Sequence, residues 1–469
     1  MEPASARKPV DVVALLDATP PNRFTASVVL LCAAVALLDG FDTLAISYVA
    51  PVIAAAWSMP KEAFGPIFAA HYVGAAAGAA AFGMLADRYG RRPTIIWATG
   101  MFGLFALLTP LSRDFASLFA LRCLTGVGLG GALANAIALV AEYAPARSRA
   151  TLVSSMCTAF PLGGVLGGPL SAYLIERYGW EAVFVVGGAA PLALVLILLL
   201  ALPESLRYLV VRAAAARRTV AALLQRAAPR AGVSAEDRFV AAEDGSVARL
   251  PLRAVFAGAY LRPTALLCLA SFITQMVIVF AITWMPMLLR DAGLPLGRAI
   301  VTSATFSLGG MVGALLLARI IDRTRSYRPL VVMYVASTFA IALIGFCTFS
   351  AAALFAAVGV AGVMIVGSQA NLSAYTTTVY PTQIRNTGVG WTTGVGRVGA
   401  IAGALVGTAF LSAGFALEVQ YLIAGAPALL AALAVAFARP PTSGQYSQMV
   451  GIQRNTSPAS ATRPYGNDT

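Results

Sequence analysis

Two carboxylates lie three residues apart inside a long apolar segment, at Asp39 and Asp42. Residues three apart in an α-helix project from the same face, so both side chains are expected to lie together. A charged side chain inside a membrane-spanning segment is expensive, and such a residue is a functional candidate by default. Because two close carboxylates resist double ionisation, one of them should bind a proton readily. The pair predicts a site that takes up and releases protons.

A single histidine and an arginine occupy two later apolar segments. His71, the only histidine of the chain, could exchange a proton near neutral pH or could be a hydrogen-bonded packing residue. The helical rise places Arg122 at a depth similar to that of the carboxylates, where a buried guanidinium and a carboxylate should pair. We therefore predict Asp39, Asp42 and His71 as proton-coupling residues. A static ion pair that joins two helices is the alternative role for Arg122.

Another arginine, Arg397, lies near the middle of a glycine-rich apolar segment that has no acidic residue nearby. A guanidinium without a local partner suits an anionic ligand, which it can hold through two parallel hydrogen bonds. An acid on a different helix, with Asp39 as the candidate, is the alternative partner. We predict Arg397 and Arg122 as residues that bind a carboxylate ligand.

Five neutral polar or aromatic residues lie in two apolar segments of the second half of the chain. They are Gln275, Trp284, Gln369, Asn371 and Tyr375. Side chains of this kind could line a pocket for an aromatic ring, and we predict them as substrate-binding residues. They could equally form hydrogen bonds between helices, worth about 1 kcal/mol each in a membrane. Both roles remain open from the sequence.

The composition indicates that these residues belong to a membrane protein. Of the 469 residues, 59% are hydrophobic and 11% are charged, and the mean hydropathy is +0.79. Soluble domains carry about 25% charged residues, and a membrane-spanning helix needs roughly 20 apolar residues. We predict an all-α membrane protein with twelve transmembrane helices, at approximately 25–56, 62–86, 93–111, 115–143, 149–176, 181–201, 262–289, 297–321, 329–349, 352–380, 385–413 and 417–438.

The basic residues decide the predicted orientation. The formal net charge is +13, and the basic residues concentrate in alternate loops, which is typical of cytoplasmic loops and requires no nucleic acid partner. We predict two six-helix bundles at 25–201 and 262–438, joined by a cytoplasmic linker at 202–261. The tails at 1–24 and 439–469 are predicted to be cytoplasmic as well.

An internal repeat supports two related halves. Three residues recur at one constant offset, and an Asp-Arg pair recurs one residue short of that offset. The matched residues are Pro145, Arg149 and Thr151 with Pro381, Arg385 and Thr387, and Asp87-Arg88 with Asp322-Arg323. Parallel repeats of this kind indicate two six-helix halves.

A short charged loop at residues 83–93 joins the second and third apolar segments. Charges this dense cannot lie inside hydrocarbon, so the loop is expected at a membrane surface. A basic turn without a further role is the alternative. The loop resembles the pattern G-x-L-a-D-r-x-G-R-r, which the major facilitator superfamily carries between its second and third helices.

The resemblance to that superfamily covers approximately residues 25–438, and residues 39–42 and 380–401 resemble its aromatic acid:proton symporters in particular. It implies two six-helix halves, proton-coupled uptake through Asp39 and Asp42, and a charged loop that acts as a conformational latch. The implied gating residues are Gly83, Asp87, Arg88, Gly90, Arg91, Arg92, Asp322 and Arg323. His71 departs from the resemblance, because relatives tend to have a small or apolar residue there, and this leaves the substrate open.

The predicted function is proton-coupled import of a small aromatic carboxylate across a bacterial inner membrane, by a monomer without a cofactor or metal ion. Transport of another organic anion, such as a sugar acid or a dicarboxylate, is the first alternative. A non-transporting membrane sensor would need a signalling domain, for which residues 202–261 are too short and unpatterned. An enzyme is not indicated, because the sequence has no metal-ligand cluster, nucleotide-binding loop or nucleophile motif.

Overall fold

A computed structural model describes residues 9–212, 216–241, 255–256, 258–324, 326–381 and 384–438. Within these residues, twelve helical spans are long and apolar enough to cross a membrane. The predicted all-α architecture with twelve transmembrane helices is confirmed. The predicted tail at 439–469 lies outside the described residues.

The first half contains six spans, preceded by a short strand and a short helix. The elements are β1 (Val10–Asp11), α1 (Val12–Ala18), α2 (Arg23–Ala56), α3 (Phe64–Tyr89), α4 (Arg91–Leu108), α5 (Phe115–Tyr143), α6 (Arg149–Cys157), α7 (Ala159–Tyr178) and α8 (Glu181–Ala201). The linker and the second half follow with α9 (Leu206–Arg212), α10 (Arg217–Ala227), β2 (Phe239–Val240), α11 (Leu261–Asp291), α12 (Leu296–Thr324), α13 (Arg328–Phe346), α14 (Ala351–Val379), α15 (Arg385–Ser412), α16 (Leu417–Gly425) and α17 (Pro427–Phe437).

Two of the spans are each built from two helices. α6 and α7 together form the fifth span, and α16 and α17 together form the twelfth. Pro427 lies at the start of α17, where its missing backbone N–H leaves no helical hydrogen bond unmade. The sequence predicted one continuous helix for each span, because hydropathy alone does not show a break of one or two residues.

Glycines hold the helices around the two acids close together. A Cβ atom at Gly40 of α2 would lie 1.9 Å from the carbonyl oxygen of Phe160 in α7. A Cβ atom at Gly126 of α5 would lie 2.2 Å from the carbonyl oxygen of His71 in α3. Small residues of this kind let helix backbones approach in a membrane. A larger side chain at Gly40 would push α2, which carries Asp39, away from α7. A larger side chain at Gly126 would push α5 away from α3, which carries His71.

The linker and the N-terminal tail form a small layer against the first half. β1 pairs in parallel with β2, and Val10 lies opposite Phe239. α1, α9 and α10 bury apolar side chains against α2, α5 and α8. The predicted tail at 1–24 therefore contains ordered elements, which its polar composition did not indicate. We name the surface that carries this layer and the loop 83–93 the linker face.

The two halves meet at the opposite surface, which we name the closed face. Lys61 Nζ lies 2.5 Å from Asp291 Oδ1, and Thr408 Oγ1 donates to the carbonyl oxygen of Glu62 at 2.9 Å. Gly65 packs so closely that a Cβ atom there would lie 1.9 Å from Thr408 Oγ1. Among the described residues, the hydrogen bonds that join the two bundles all lie at this face. No such bond joins the bundles at the linker face in the part of the chain that the structure describes.

Candidate functional site

Asp42 and Arg122 form a buried ion pair between α2 and α5. Arg122 Nη1 lies 3.4 Å from both carboxylate oxygens of Asp42, and both side chains are fully buried. The predicted pairing of this arginine with a helix-one acid is therefore confirmed for Asp42. The two opposite charges compensate each other, and removal of either one would leave the other buried without a partner, which is strongly destabilising.

The rest of the Arg122 side chain is also enclosed by protein. Nη2 donates to Thr109 Oγ1 and, at 3.1 Å, to Thr125 Oγ1. The guanidinium carbon lies 4.6 Å from the centroid of the Phe184 ring, a distance suited to a cation–π contact. Arg122 lines none of the cavities described below. In this conformation it is placed to hold helices together, and no ligand could reach it without displacing its partners.

Asp39 has different surroundings, although it lies one turn from Asp42. Thr43 Oγ1 lies 3.1 Å from Asp39 Oδ1 and 3.3 Å from His71 Nε2, so the threonine hydroxyl joins the carboxylate to the imidazole. Asp39 and His71 are each 4% exposed. The structure thus brings together two of the three predicted proton-coupling residues through a residue that was not predicted. We name Asp39, Thr43 and His71 the relay.

The relay lines a cavity of about 200 Å³ between the two halves. Its polar wall is formed by the relay together with Tyr72, Gln275 and Arg397. An apolar cavity of about 150 Å³ is large enough to hold benzene, so this cavity has room for one substituted aromatic ring. We name it the ring cavity. Asp42 lies outside it.

Arg397 stands where three cavities meet. It lines the ring cavity, a cavity of about 130 Å³ that includes Gln369, and a cavity of about 520 Å³ that reaches Arg385 at the start of α15. No ion pair with a carboxylate within 4 Å is found for Arg397 in the described part of the chain. The alternative of a bonded Asp39 partner is thus not realised in this conformation, although both residues line the ring cavity.

Three predicted substrate-binding residues lie outside these cavities and make bonds between helices. Trp284 is fully buried, and its Nε1 donates to the carbonyl oxygen of Ala404 at 2.9 Å. Asn371 Nδ2 donates to the carbonyl oxygen of Ala314 at 3.2 Å, and the Tyr375 hydroxyl donates to a carbonyl at the end of α17. For these three residues the structure matches the interhelical alternative. Gln275 and Gln369 line cavities, and their role in binding stays a prediction.

Two wall residues were missed from the sequence. Thr43 follows Asp39 by four residues, so it lies on the same helical face as Asp39, and this spacing could have identified it. Tyr72 follows His71 directly, and its ring packs edge-on against the imidazole with centroids 5.3 Å apart. A neighbour in sequence usually points elsewhere on a helix, so no spacing rule indicated that Tyr72 would reach the ring cavity.

The loop predicted at 83–93 is shorter than expected, because α3 continues to Tyr89 and α4 begins at Arg91. The chain of this loop 83–93 turns at Gly90, whose φ of +100° favours glycine. A Cβ atom there would lie 2.3 Å from a carboxylate oxygen of Glu204. Glu204 Oε1 accepts the backbone N–H groups of Arg91 at 2.8 Å and Arg92 at 3.1 Å. The carboxylate thus occupies the positive end of α4. Glu204 is a residue of this loop site that the sequence analysis did not identify.

The predicted gating residues contact their own half. Arg91 lies 3.6 Å from Asp87, 3.5 Å from Glu142 and 3.0 Å from Asn135. The Asp87 side chain is 72% exposed. In the second half, Asp322 and Arg323 are exposed at the end of α12, and neither has an ion pair within the described residues. The linker face is therefore not held shut by these residues in this conformation.

Comparison with known proteins agrees with this architecture. The profile of the Major Facilitator Superfamily matches residues 32–404. A gallate transporter of Pseudomonas putida is 38% identical over 427 residues, which are 91% of this chain and 94% of that protein. The 4-hydroxybenzoate transporter PcaK of Pseudomonas aeruginosa is 37% identical over 426 residues, which are 91% of this chain and 95% of that protein.

A solved structure supports the same fold. The crystal structure of a D-xylose–proton symporter aligns with a TM-score of 0.71 at 18% sequence identity, covering 90% of this chain and 99% of that chain. At this identity the likeness concerns the fold alone. With twelve spans, a matching profile and relatives of this identity, the chain is a multi-pass membrane protein that belongs to the major facilitator superfamily and, within it, to the aromatic acid transporter family.

Proposed function

We propose that this protein imports a small aromatic carboxylate together with protons across a bacterial inner membrane, by alternating access. The observation that carries the proposal is the ring cavity, which combines room for one ring with a carboxylate, Asp39, and an arginine, Arg397. The two relatives named above, a gallate and a 4-hydroxybenzoate transporter, agree with a ligand of this size.

Arg397 is the proposed anchor of the substrate carboxylate. A guanidinium presents a planar pair of donors that matches the two oxygens of a carboxylate. Of the described residues that line the ring cavity, Arg397 is the one permanent cation. A dicarboxylate would call for two cations at the site, so this wall favours a monocarboxylate.

Asp39 is the proposed proton carrier, and the other two relay residues, Thr43 and His71, line the cavity beside it. Import of an anion into a negative interior costs about 2.3 kcal/mol per charge for each 100 mV. One proton per monoanion cancels this cost, and a further proton would let the potential assist uptake. A carboxylate beside the substrate site could bind that proton, and its neutralisation would remove the repulsion that it exerts on an incoming anion.

The proposed orientation places the linker face in the cytoplasm. Residues 83–93 and the linker carry many of the basic residues, and the positive-inside rule assigns such surfaces to the cytoplasm. With this orientation both termini are cytoplasmic, and the closed face is periplasmic. The conformation described here would then be the inward-facing state. Because one chain contains all residues of the ring cavity, a monomer is the proposed functional unit.

The proposal is tested by uptake into liposomes that contain the purified protein. We expect labelled 4-hydroxybenzoate or gallate to accumulate when the outside is made more acidic than the inside. A protonophore should abolish accumulation, whereas exchange of labelled for unlabelled substrate should continue. A passive uniporter would instead equilibrate the substrate without accumulating it, and neither the pH gradient nor the protonophore would change its uptake.

A further inference from the structure

One ring nitrogen of His71 lies within hydrogen-bond distance of a partner, and the other has no partner among the described residues. Its Nε2 atom lies 3.3 Å from Thr43 Oγ1, whereas its Nδ1 atom is buried without a hydrogen-bond partner among the described residues. The side chain is 4% exposed and lines the ring cavity. A buried polar atom without a partner is costly, so a polar group of a bound ligand is a natural partner for Nδ1.

The protonation state of Asp39 determines, through the relay, whether Nδ1 donates or accepts a hydrogen bond. An ionised Asp39 only accepts hydrogen bonds, so Thr43 gives its one hydroxyl hydrogen to Asp39 and accepts from Nε2–H of His71. Nδ1 then carries a lone pair. When Asp39 is protonated the order reverses, because Asp39 donates to Thr43 and Thr43 donates to Nε2. The hydrogen of the neutral imidazole then lies on Nδ1.

One added proton converts the first arrangement into the second. A proton that reaches Nδ1 binds its lone pair, the Nε2 proton passes to Thr43 Oγ1, and the Thr43 hydroxyl proton passes to Asp39. The net change is one proton, which neutralises the carboxylate and leaves the imidazole neutral. Nδ1, the ring nitrogen without a partner among the described residues, therefore changes from acceptor to donor as Asp39 is loaded.

We propose that His71 Nδ1 forms a hydrogen bond with a hydroxyl group on the aromatic ring of the substrate. Nδ1 accepts this bond when Asp39 is ionised and donates it when Asp39 is protonated. The proposal rests on the proposed function, since it places an aromatic carboxylate in the ring cavity. A hydroxyl group both donates and accepts, so it satisfies Nδ1 in either state. A methoxy oxygen only accepts and pairs with the protonated relay alone. An unsubstituted ring leaves Nδ1 without a partner in both states.

Other ionisable groups lie close to the relay and enter the interpretation of any pH profile. They are Asp42 on α2, Tyr72 on α3, Arg122 on α5 and Arg397 on α15. Asp42 and Arg122 are bonded to each other. The described residues that α7 and α11 contribute to the ring cavity do not titrate.

The specificity is tested by binding of benzoate, 3-hydroxybenzoate and 4-hydroxybenzoate to the purified full chain. We expect one hydroxybenzoate to bind roughly tenfold more tightly than benzoate, the size of one hydrogen bond that is otherwise left unmade. His71→Leu should remove this preference and still bind benzoate. Tyr72→Phe removes the phenol hydroxyl from the same wall, which is the competing partner for a ring hydroxyl, and should keep the preference. A hydroxyl preference that survives in His71→Leu, or that is lost in Tyr72→Phe alone, would overturn the proposal.

The reversal is tested with the methoxy analogue of the preferred hydroxybenzoate. The ratio of methoxybenzoate affinity to benzoate affinity should rise as the pH falls, since this ratio cancels the general effect of the Asp39 charge. Thr43→Val should flatten that profile, and Thr43→Ser should restore it. A wild-type ratio that does not change with pH contradicts the relay, and this arm needs no variant of His71.

The two proposals fail in different ways. If the wild-type protein binds none of these aromatic acids, the proposed function is wrong. If it binds them all but shows no preference for a ring hydroxyl, the proposed function stands and the role of His71 is wrong.

Discussion

Asp39 and Asp42 share a helical face but differ in what surrounds them. Asp42 is enclosed with Arg122 and reaches no cavity, whereas Asp39 lies beside the ring cavity and bonds Thr43. A proton carrier must exchange with the substrate site, so Asp39 is better placed for that role. The Asp42–Arg122 pair is better placed to keep α2 and α5 together.

Removal of one partner of that pair should destabilise the protein. Asp42→Asn leaves Arg122 as a buried charge without compensation, which typically costs about 3–5 kcal/mol. The double variant Asp42→Asn with Arg122→Gln should recover much of the loss, because no net charge remains buried. Thermal unfolding in detergent measures both changes. Equal melting temperatures for wild type and the Asp42→Asn single variant would refute a structural ion pair.

Arg397 should be sensitive to replacement even when its charge is kept. In Arg397→Lys the ammonium group cannot offer the planar two-donor fork, so we expect a loss of about tenfold or more in aromatic acid affinity. Arg385→Lys, on the same helix near the linker face, is the control and should change affinity little. Wild-type affinity in Arg397→Lys would remove this residue from the substrate site.

At the scale of elements, the loop 83–93 is shaped by a turn and by the carboxylate that caps the following helix. Gly90 takes a left-handed φ, and Glu204, which follows the sixth span, accepts two backbone N–H groups at the start of α4. The loop is therefore fixed to its own half. We propose that the exposed Asp87, which lies 3.6 Å from Arg91 in this conformation, meets the second half when the linker face closes.

Gly90→Ala should slow transport without a comparable loss of binding. The new Cβ atom would have to sit 2.3 Å from a Glu204 oxygen at a strained φ, so the start of α4 should shift. Gly83→Ala is the matched control, because a Cβ atom there has no described neighbour within 4 Å. We expect uptake to fall several-fold in Gly90→Ala alone. If binding and uptake fall equally, the loop does not act as a latch.

The sequence predicted the spans and selected the intramembrane charges, but it did not predict contacts that depend on long-range packing. Intramembrane charges are costly enough to be informative by themselves, so Asp39, Asp42 and Arg397 could be selected from one chain. Trp284 and Asn371 were assigned to a pocket because neutral polar residues serve both binding and packing, and only the neighbouring helix distinguishes them. Which of the two acids pairs with Arg122 could not be predicted, because the pairing depends on side-chain direction and the sequence indicated only the depth of each residue.

At the scale of the whole molecule, the hydrogen bonds found between the two halves lie at the closed face, and none is found at the linker face within the described residues. Alternating access requires the reverse arrangement as well, so contacts such as Lys61 with Asp291 must break in each cycle. Exposed ion pairs contribute little stability, which suits a contact that opens repeatedly. The tight approach of Gly65 to Thr408 is the steric part of the same closure.

Gly65→Leu should prevent the closed face from forming. Its side chain would meet Thr408 and the carbonyl of Ala404, so the halves should stay apart at that face. Substrate should still bind, while uptake and exchange should both be lost. Gly297→Leu, at the start of α12 where a Cβ atom meets nothing within 4 Å, is the control and should transport normally. Normal uptake in Gly65→Leu would mean that this contact is not needed in the cycle.

The most direct test of proton-coupled import is accumulation by Asp39→Asn in liposomes with an imposed pH gradient. Asparagine resembles the protonated carboxyl in shape but cannot release a proton. We expect this variant to accumulate no labelled aromatic acid under the gradient, while it still exchanges labelled for unlabelled substrate, because exchange requires no proton release. Accumulation by Asp39→Asn at the wild-type level would show that Asp39 does not carry the coupling proton and would contradict the account.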